Sequence, residues 1–185
     1  MSASIWNGKS VLLGVTGGVA IYKAVDMASK LTQQGAEVDV VMTDGAMEFV
    51  KPLLFAAVTR REVYHNQWEA VRSPEHIALA QRPDIVVIAP ATANTIAKMA
   101  HGIADNLLTS VLVATRKPVL VAPAMNTGMW ESPSVGDNMA VLRKRNIGIV
   151  GPESGYLACG DVGSGRMSAP AAIIAAMESL LETAS

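Results

Sequence analysis

Cysteine occurs once in these 185 residues, at position 159, and a single thiol excludes any intramolecular disulfide framework. No apolar run approaches the roughly 18–20 uncharged residues of a membrane span. The N-terminal MSASIWNGKS lacks the basic region and apolar stretch of a secretory leader. Together these absences predict a cytoplasmic protein in a reducing compartment, with no membrane partner. Charge is also scarce: 17 % of residues are charged, the net charge is −1, and lysine and arginine are scattered. That distribution argues against nucleic acid as the main partner. Neither Cys-x-x-Cys nor His-Glu-x-x-His occurs, nor any other multi-ligand spacing, so no metal site is expected. Internal repeats, linkers and a second domain are missing too, which predicts one domain over 1–185. What is abundant is hydrophobicity, at half of all residues and a mean hydropathy of +0.31. A chain of this length buries a full core without staples, with apolar surface left for a subunit interface.

The apolar residues fall into short runs that alternate with helical patterns. Strands are expected at Ser10–Val15, Glu37–Met42, Asp84–Ala89 (closed by Pro90), Pro118–Ala122 and Ile147–Val150. Between them, Ile21, Val25, Ala28 and Leu31 share one helical face, and Gly35 suits its stop. A second helix fits 46–58, with Pro52 delaying or kinking it. The polar stretch 59–73 carries little pattern. A long helical segment runs from Asn94 towards Ala114 with Gly102 as a break, another spans Val135–Arg145, a Gly-rich loop covers 151–166, and Ala169–Leu181 closes the chain. Continuously apolar strands alternating with helices predict an α/β, Rossmann-like (flavodoxin-like) doubly wound parallel sheet. Ligands bind beyond the C-terminal strand ends of such sheets, so the residues just after each strand carry the most information.

Four such segments stand out. GVTGGVA (14–20) offers backbone N–H groups at a helix start where a phosphate can sit, yet it matches neither G-x-G-x-x-G nor a P-loop, and a tight turn needs no ligand. In APATANT (89–95), Thr92, Asn94 and Thr95 suit helix capping and ligand contact equally. PAMNTGMW (123–130) sets Asn126, which has both donors and an acceptor, between Met125 and Met129, with Trp130 behind. Plain packing accounts for the methionines and Trp130, as does contact with a flat aromatic ligand. In ESGYLACGDVGSGRM (153–167), Cys159 is either an inert small residue or part of a lid that brings a thiol and Arg166 onto a substrate. Outside these segments, His76 in SPEHIALA is either structural or a proton-transfer group titrating near neutrality. His65 and His101 have no such context.

Taken together, these segments resemble the homo-oligomeric flavin-containing cysteine decarboxylases, from about Lys9 to about Pro170. PAMNTGMW is similar to that family's Pro-x-Met-Asn-x-x-Met-Trp signature, LACGDVGSGRM to its substrate-loop signature, APATANTIAKMAHGIADNLLT to its flavin-binding segment, and HIALA to its histidine motif. The likeness is strongest to the branch that decarboxylates phosphopantothenoylcysteine in coenzyme A synthesis. It implies FMN as cofactor, contacted by Gly17, Val19, Thr43 and the turn Thr92, Ala93, Asn94 and Thr95, with Ala124 lining the ring. It implies His76 as base or charge partner at the substrate carboxylate, Asn126 holding that carboxylate, and Cys159 as the acid of the second half-reaction. Met129 and Arg166 join Asn126 and Cys159 as substrate contacts. The implied chemistry is oxidation of the cysteine unit to a thioaldehyde, CO2 loss, then re-reduction. The implied assembly is a trimer, or a dodecamer of trimers, with the site between subunits.

Relatives that decarboxylate the C-terminal cysteine of a peptide stop at the enethiol; Cys159 favours the full redox-neutral cycle without excluding a peptide. Many bacterial relatives carry a second, synthetase domain; for a chain read to Ser185 that activity is expected to come from another protein, unless the chain is a piece of a longer one. A non-enzymatic regulatory subunit of the same fold fares worse, because His76, Asn126 and Cys159 are all present. A flavin prenyltransferase would lack both long signatures. A nicotinamide dehydrogenase fares worst: its glycine fingerprint is missing, and Thr43 rather than an acidic residue follows the second strand.

Overall fold

The computed structural model describes residues 4–66, 75–158 and 160–184. The apolar runs become strands β1 (Ser10–Val15), β2 (Glu37–Met42), β3 (Val63–Tyr64), β4 (Ile85–Ala91), β5 (Val119–Pro123) and β6 (Gly148–Ile149). They form one parallel sheet in the order β3-β2-β1-β4-β5-β6, the Rossmann-like doubly wound arrangement. Helices separate them in sequence: α1 (Ile21–Gln33), α2 (Asp44–Met47), α3 (Pro52–Thr59), α4 (Glu75–Gln81), α5 (Ala93–His101), α6 (Leu107–Ala114), α7 (Thr127–Trp130) and α8 (Pro133–Lys144). A hairpin of β7 (Glu153–Tyr156) and β8 (Val162–Arg166) and a last helix α9 (Pro170–Ala184) complete the chain.

Side-chain alternation along the strands divides the core into two layers. Val11, Leu13 and Val15 of β1, with Val38, Val40 and Met42 of β2, pack against Met27 and Leu31 of α1, Phe55 of α3 and Met177 of α9. Leu12, Val41, Val86 and Ile88 point the other way, against Leu79 of α4, Ile96 of α5, Leu108 of α6 and Met139 of α8. All seven residues of β4 are buried, which is why its sequence runs apolar without alternation. Asp39 on β2 is the exception to this apolar rule: buried, it accepts from Arg61 Nε and Arg82 Nη2 at 2.7 Å each.

Several sequence expectations are corrected. The helix expected over 46–58 is two helices, because Pro52 has no N–H to donate and holds Lys51 extended at ψ 148°. The segment expected from Asn94 to Ala114 also divides: α5 ends on Gly102 at φ +68°, and Asn106 starts α6 through a capping box with Thr109. Strand β4 does not close at Pro90 but continues to Ala91. The Gly-rich stretch 151–166 is an ordered antiparallel hairpin for most of its length, rather than a loop. Within 59–73, Val63–Tyr64 forms an edge strand, while 67–74 lies outside the described residues.

Candidate functional site

The chain lays β2 and β3 on one side of β1, then crosses to lay β4, β5 and β6 on the other, so the order reverses between β1 and β4. Backbones diverge at such a switch point and leave a crevice at the C-terminal strand ends. A cavity of about 480 Å3 occupies it. Its walls are the turn from Gly17 into α1 as far as Lys23, Thr92 and Ala93 after β4, and Ala124, Met125, Asn126 and Met129 after β5. Tyr156, Leu157 and Ala158 of the hairpin, with Gly165, Arg166 and Met167, close the remaining side.

Close backbone approaches build the walls. A Cβ on Gly17 would stand 2.7 Å from the carbonyl oxygen of Gly45, so only glycine lets the two turns meet. Thr43 N-caps α2 by accepting from the Ala46 N–H, and its own N–H donates to the Val15 carbonyl at 3.0 Å. Thr92 caps α5 by accepting from the Thr95 N–H at 3.3 Å. Asn126 caps α7: its Oδ1 accepts from the Gly128 N–H at 2.8 Å, which fixes the plane of the amide.

The hairpin is docked on the segment that carries Asn126. The Met125 N–H donates to the Gly165 carbonyl at 3.0 Å, and Thr127 Oγ1 donates to the Ser164 carbonyl at 2.8 Å. Lys23, buried in α1, donates to the Met167 carbonyl just beyond β8. Burial lowers the Lys23 pKa, the Arg166 charge lowers it further, and Glu153 acts in the opposite direction. Among the described residues, neither Lys23 nor Arg166 forms an ion pair, so the cavity carries two cationic groups.

These walls fit FMN. Helix α1 has no side-chain cap and no acidic residue in its first turn, so the positive end of its dipole meets an anion in the cavity unopposed, although the Ile21 and Lys23 N–H groups already donate to the Gly18 and Ala20 carbonyls. The Gly17–Gly45 approach keeps that turn clear of side chains, and Val19, Ala124, Met125 and Met129 offer apolar surface to a flat ring. Among the described residues, no group of three His, Cys, Asp or Glu side chains is arranged to hold a metal ion, and no helix is long and apolar enough to cross a membrane.

The sequence candidates separate in space. Gly17, Val19, Thr92, Ala93, Ala124, Asn126, Met129 and Arg166 line the one cavity. Thr43 and Thr95 stand behind its walls as capping partners, and Asn94 is exposed on α5. His76 is half-buried on α4 and is not among the lining residues. Cys159 lies outside the described residues. Sequence reasoning passed over Lys23, Tyr156 and Leu157, which do line the cavity. The available signal was weak: a lysine in the first turn after a Gly-rich strand end, and a Tyr-Leu pair inside an otherwise small-residue stretch.

A family model described as Flavoprotein matches residues 3–182. The coenzyme A biosynthesis bifunctional protein CoaBC of Bacillus subtilis is 47 % identical over 171 residues, covering 91 % of this chain and 42 % of that protein. The chain thus spans about half the length of the curated relatives it matches first. A probable phosphopantothenoylcysteine decarboxylase of Streptococcus mutans is 43 % identical over 177 residues, covering 94 % of this chain and 99 % of that one. Among solved structures, a PPC decarboxylase mutant complexed with pantothenoylaminoethenethiol superimposes with a TM-score of 0.82 at 33 % identity, over 97 % of this chain and 100 % of that one. The FMN-dependent cysteine decarboxylase SpaF gives 0.77 at 34 % identity, over 91 % and 97 %.

Proposed function

Because the chain belongs to the flavoprotein family, and its cavity fits a flavin, we propose that it decarboxylates 4′-phosphopantothenoylcysteine to 4′-phosphopantetheine with FMN as cofactor. The observation that carries the proposal is the fixed amide of Asn126 in the cavity wall, in a chain 43 % identical to a relative it matches end to end. When bound, FMN supplies a reversible two-electron acceptor, which lets a cysteine carboxylate lose CO2 without leaving an unstabilised carbanion.

The protein's own groups do the rest. Asn126 accepts from the Gly128 N–H through Oδ1, which orients the amide in the cavity wall, and an amide there can hold a substrate carboxylate. Lys23 and Arg166 make the same wall cationic and favour an anionic substrate over a neutral one. The turn into α1 would hold the cofactor phosphate, and Gly17, Val19, Thr92 and Ala124 would flank the cofactor. The hairpin residues Tyr156, Leu157 and Ala158 wall the site on one side, and Cys159 serves as the acid that protonates the product carbon. His76 does not line the cavity of its own chain. We place it at the substrate carboxylate in the cavity of a second copy, which makes the working unit an oligomer with sites between subunits. The setting is cytoplasmic.

Mass spectrometry of products, after mixing the purified protein with 4′-phosphopantothenoylcysteine, tests this. Loss of CO2 alone is expected. Loss of CO2 plus two hydrogens would mean that the cycle stops at the enethiol, as for a peptidyl-cysteine decarboxylase. Bound flavin without turnover would shift the assay to peptides ending in cysteine.

A further inference from the structure

The ladder between β1 and β4 ends at the pair Gly14–Ile88, yet both chains run on, β1 to Val15 and β4 to Ala91, before they line the cavity. Thr16 stands where that ladder has opened. It is 1 % exposed and is not itself a lining residue. Its Oγ1 donates to the Pro90 carbonyl at 2.7 Å and accepts from the Thr92 N–H at 3.1 Å. One hydroxyl therefore replaces the missing ladder bonds at the point where the crevice begins.

We propose that Thr16 is a positioning residue that sets the spacing between the two backbones flanking the flavin, and through that spacing the affinity for FMN. These bonds, and a longer contact of 3.4 Å with Thr92 Oγ1, all go to the segment that enters the cavity wall: Thr92 lines the cavity and caps α5. On the facing side the next residues are Gly17 and Gly18, and a Cβ on Gly18 would lie 3.7 Å from Pro90 and 3.8 Å from Thr92. The two walls are thus in near contact behind the cavity and diverge in front of it. A serine keeps these bonds; a valine keeps the shape and leaves the buried Pro90 carbonyl and the part-buried Thr92 N–H without that partner.

The inference rests on FMN occupying this cavity, and the test separates the two. FMN affinity is measured by quenching of flavin fluorescence on titrating the apoprotein, for wild type, Thr16→Val and Thr16→Ser. Amide exchange at Thr92 is followed on the same samples. Wild type is expected to bind FMN, Thr16→Val to bind it at least tenfold more weakly with faster exchange at Thr92, and Thr16→Ser to stay within about threefold of wild type. If Thr16→Val does not fold, Thr16→Ala is read in the same way. Wild type that binds no FMN overturns the cofactor assignment itself. Wild type that binds FMN, with unchanged affinity in the valine or alanine variant, overturns the role of Thr16 alone, even where the melting temperature falls.

Discussion

Met125 and Gly165 meet backbone to backbone: the Met125 N–H donates to the Gly165 carbonyl at 3.0 Å, and a Cβ on Gly165 would collide with the Met125 carbonyl oxygen. Gly165 also holds φ at +119°, a conformation open in practice to glycine alone. This residue therefore serves close docking of β8 on the segment carrying Asn126, rather than mobility. In Gly165→Ala the strand must lift off. The backbone strain alone is worth about 1–3 kcal/mol, more than the contact can supply. We expect FMN to be retained, turnover to fall at least tenfold, and the hairpin to become sensitive to limited proteolysis. Wild-type resistance in the variant would show that the docking does not depend on the glycine.

Asn126→Asp distinguishes the capping role of this side chain from its donor role. An aspartate oxygen can still accept from the Gly128 N–H, and aspartate is as good an N-cap as asparagine. The cap at the start of α7 should therefore persist and the protein should still fold. What disappears is the amine, replaced by a negative charge facing a carboxylate. Turnover should drop by at least about 100-fold with the flavin spectrum intact, as expected for loss of a charge-assisted donor. Loss of the flavin instead would make Asn126 part of the scaffold.

The division of information between sequence and structure follows from these cases. Strands β1, β4 and β5 were legible because burial on both faces forces apolar runs, β2 because Val38, Val40, Val41 and Met42 keep it apolar around Asp39, and α1 because its stripe repeats with helical period. Cavity residues such as Thr92 and Asn126 were legible as strand-end polar residues. The hairpin was not, because Ser154, Gly155, Gly163 and Ser164 have low strand propensity and pair through backbone bonds that no side-chain pattern records. Lys23 was missed for a different reason: its partner is a carbonyl 144 residues away, and a backbone acceptor leaves no mark on sequence. Thr16 reads locally as part of a glycine turn, while its bonds reach 74 residues along the chain.

Asp39 gives a prediction about stability that is separate from the site. Its buried carboxylate joins Arg61, which follows α3, to Arg82, which follows α4, and Arg61 also pairs with Glu37 at 3.2 Å. Both arginine pKa values are raised. For Arg61 the hydrogen bond to Asp39 is the largest cause; for Arg82 burial is the largest single influence and lowers the value, but the hydrogen bonds and charges of Tyr64 and Asp39 together raise it by more. Asp39→Ala leaves two partly exposed guanidinium groups facing each other beside the core. Solvent reaches both, so the cost lies below that of a fully buried pair, at about 2 kcal/mol. Urea unfolding should show an earlier midpoint with unchanged slope, and FMN affinity should hold within about threefold. A midpoint equal to wild type would remove the network from the account of stability.

Lys23 adds a pH dependence whose sign can be worked out. Burial holds its pKa below the ordinary lysine value of about 10.4. Below the folded-state value the ammonium is charged in both folded and unfolded chains, and the folded protein bears the full desolvation cost. Above the ordinary value it is neutral in both, and the cost vanishes. Between the two, the unfolded chain binds more protons, so stability rises with pH. Lys23→Met fills similar space and does not titrate. The stability of wild type minus that of Lys23→Met should therefore be flat around neutral pH and climb on the alkaline side, as other titrations cancel in the difference. Loss of the bond to the Met167 carbonyl displaces the whole curve without altering its slope. Urea unfolding of both proteins at stepped pH checks the sign, and a difference that falls with rising pH would mean that the folded state stabilises the ammonium, as a site built around a permanently charged Lys23 requires.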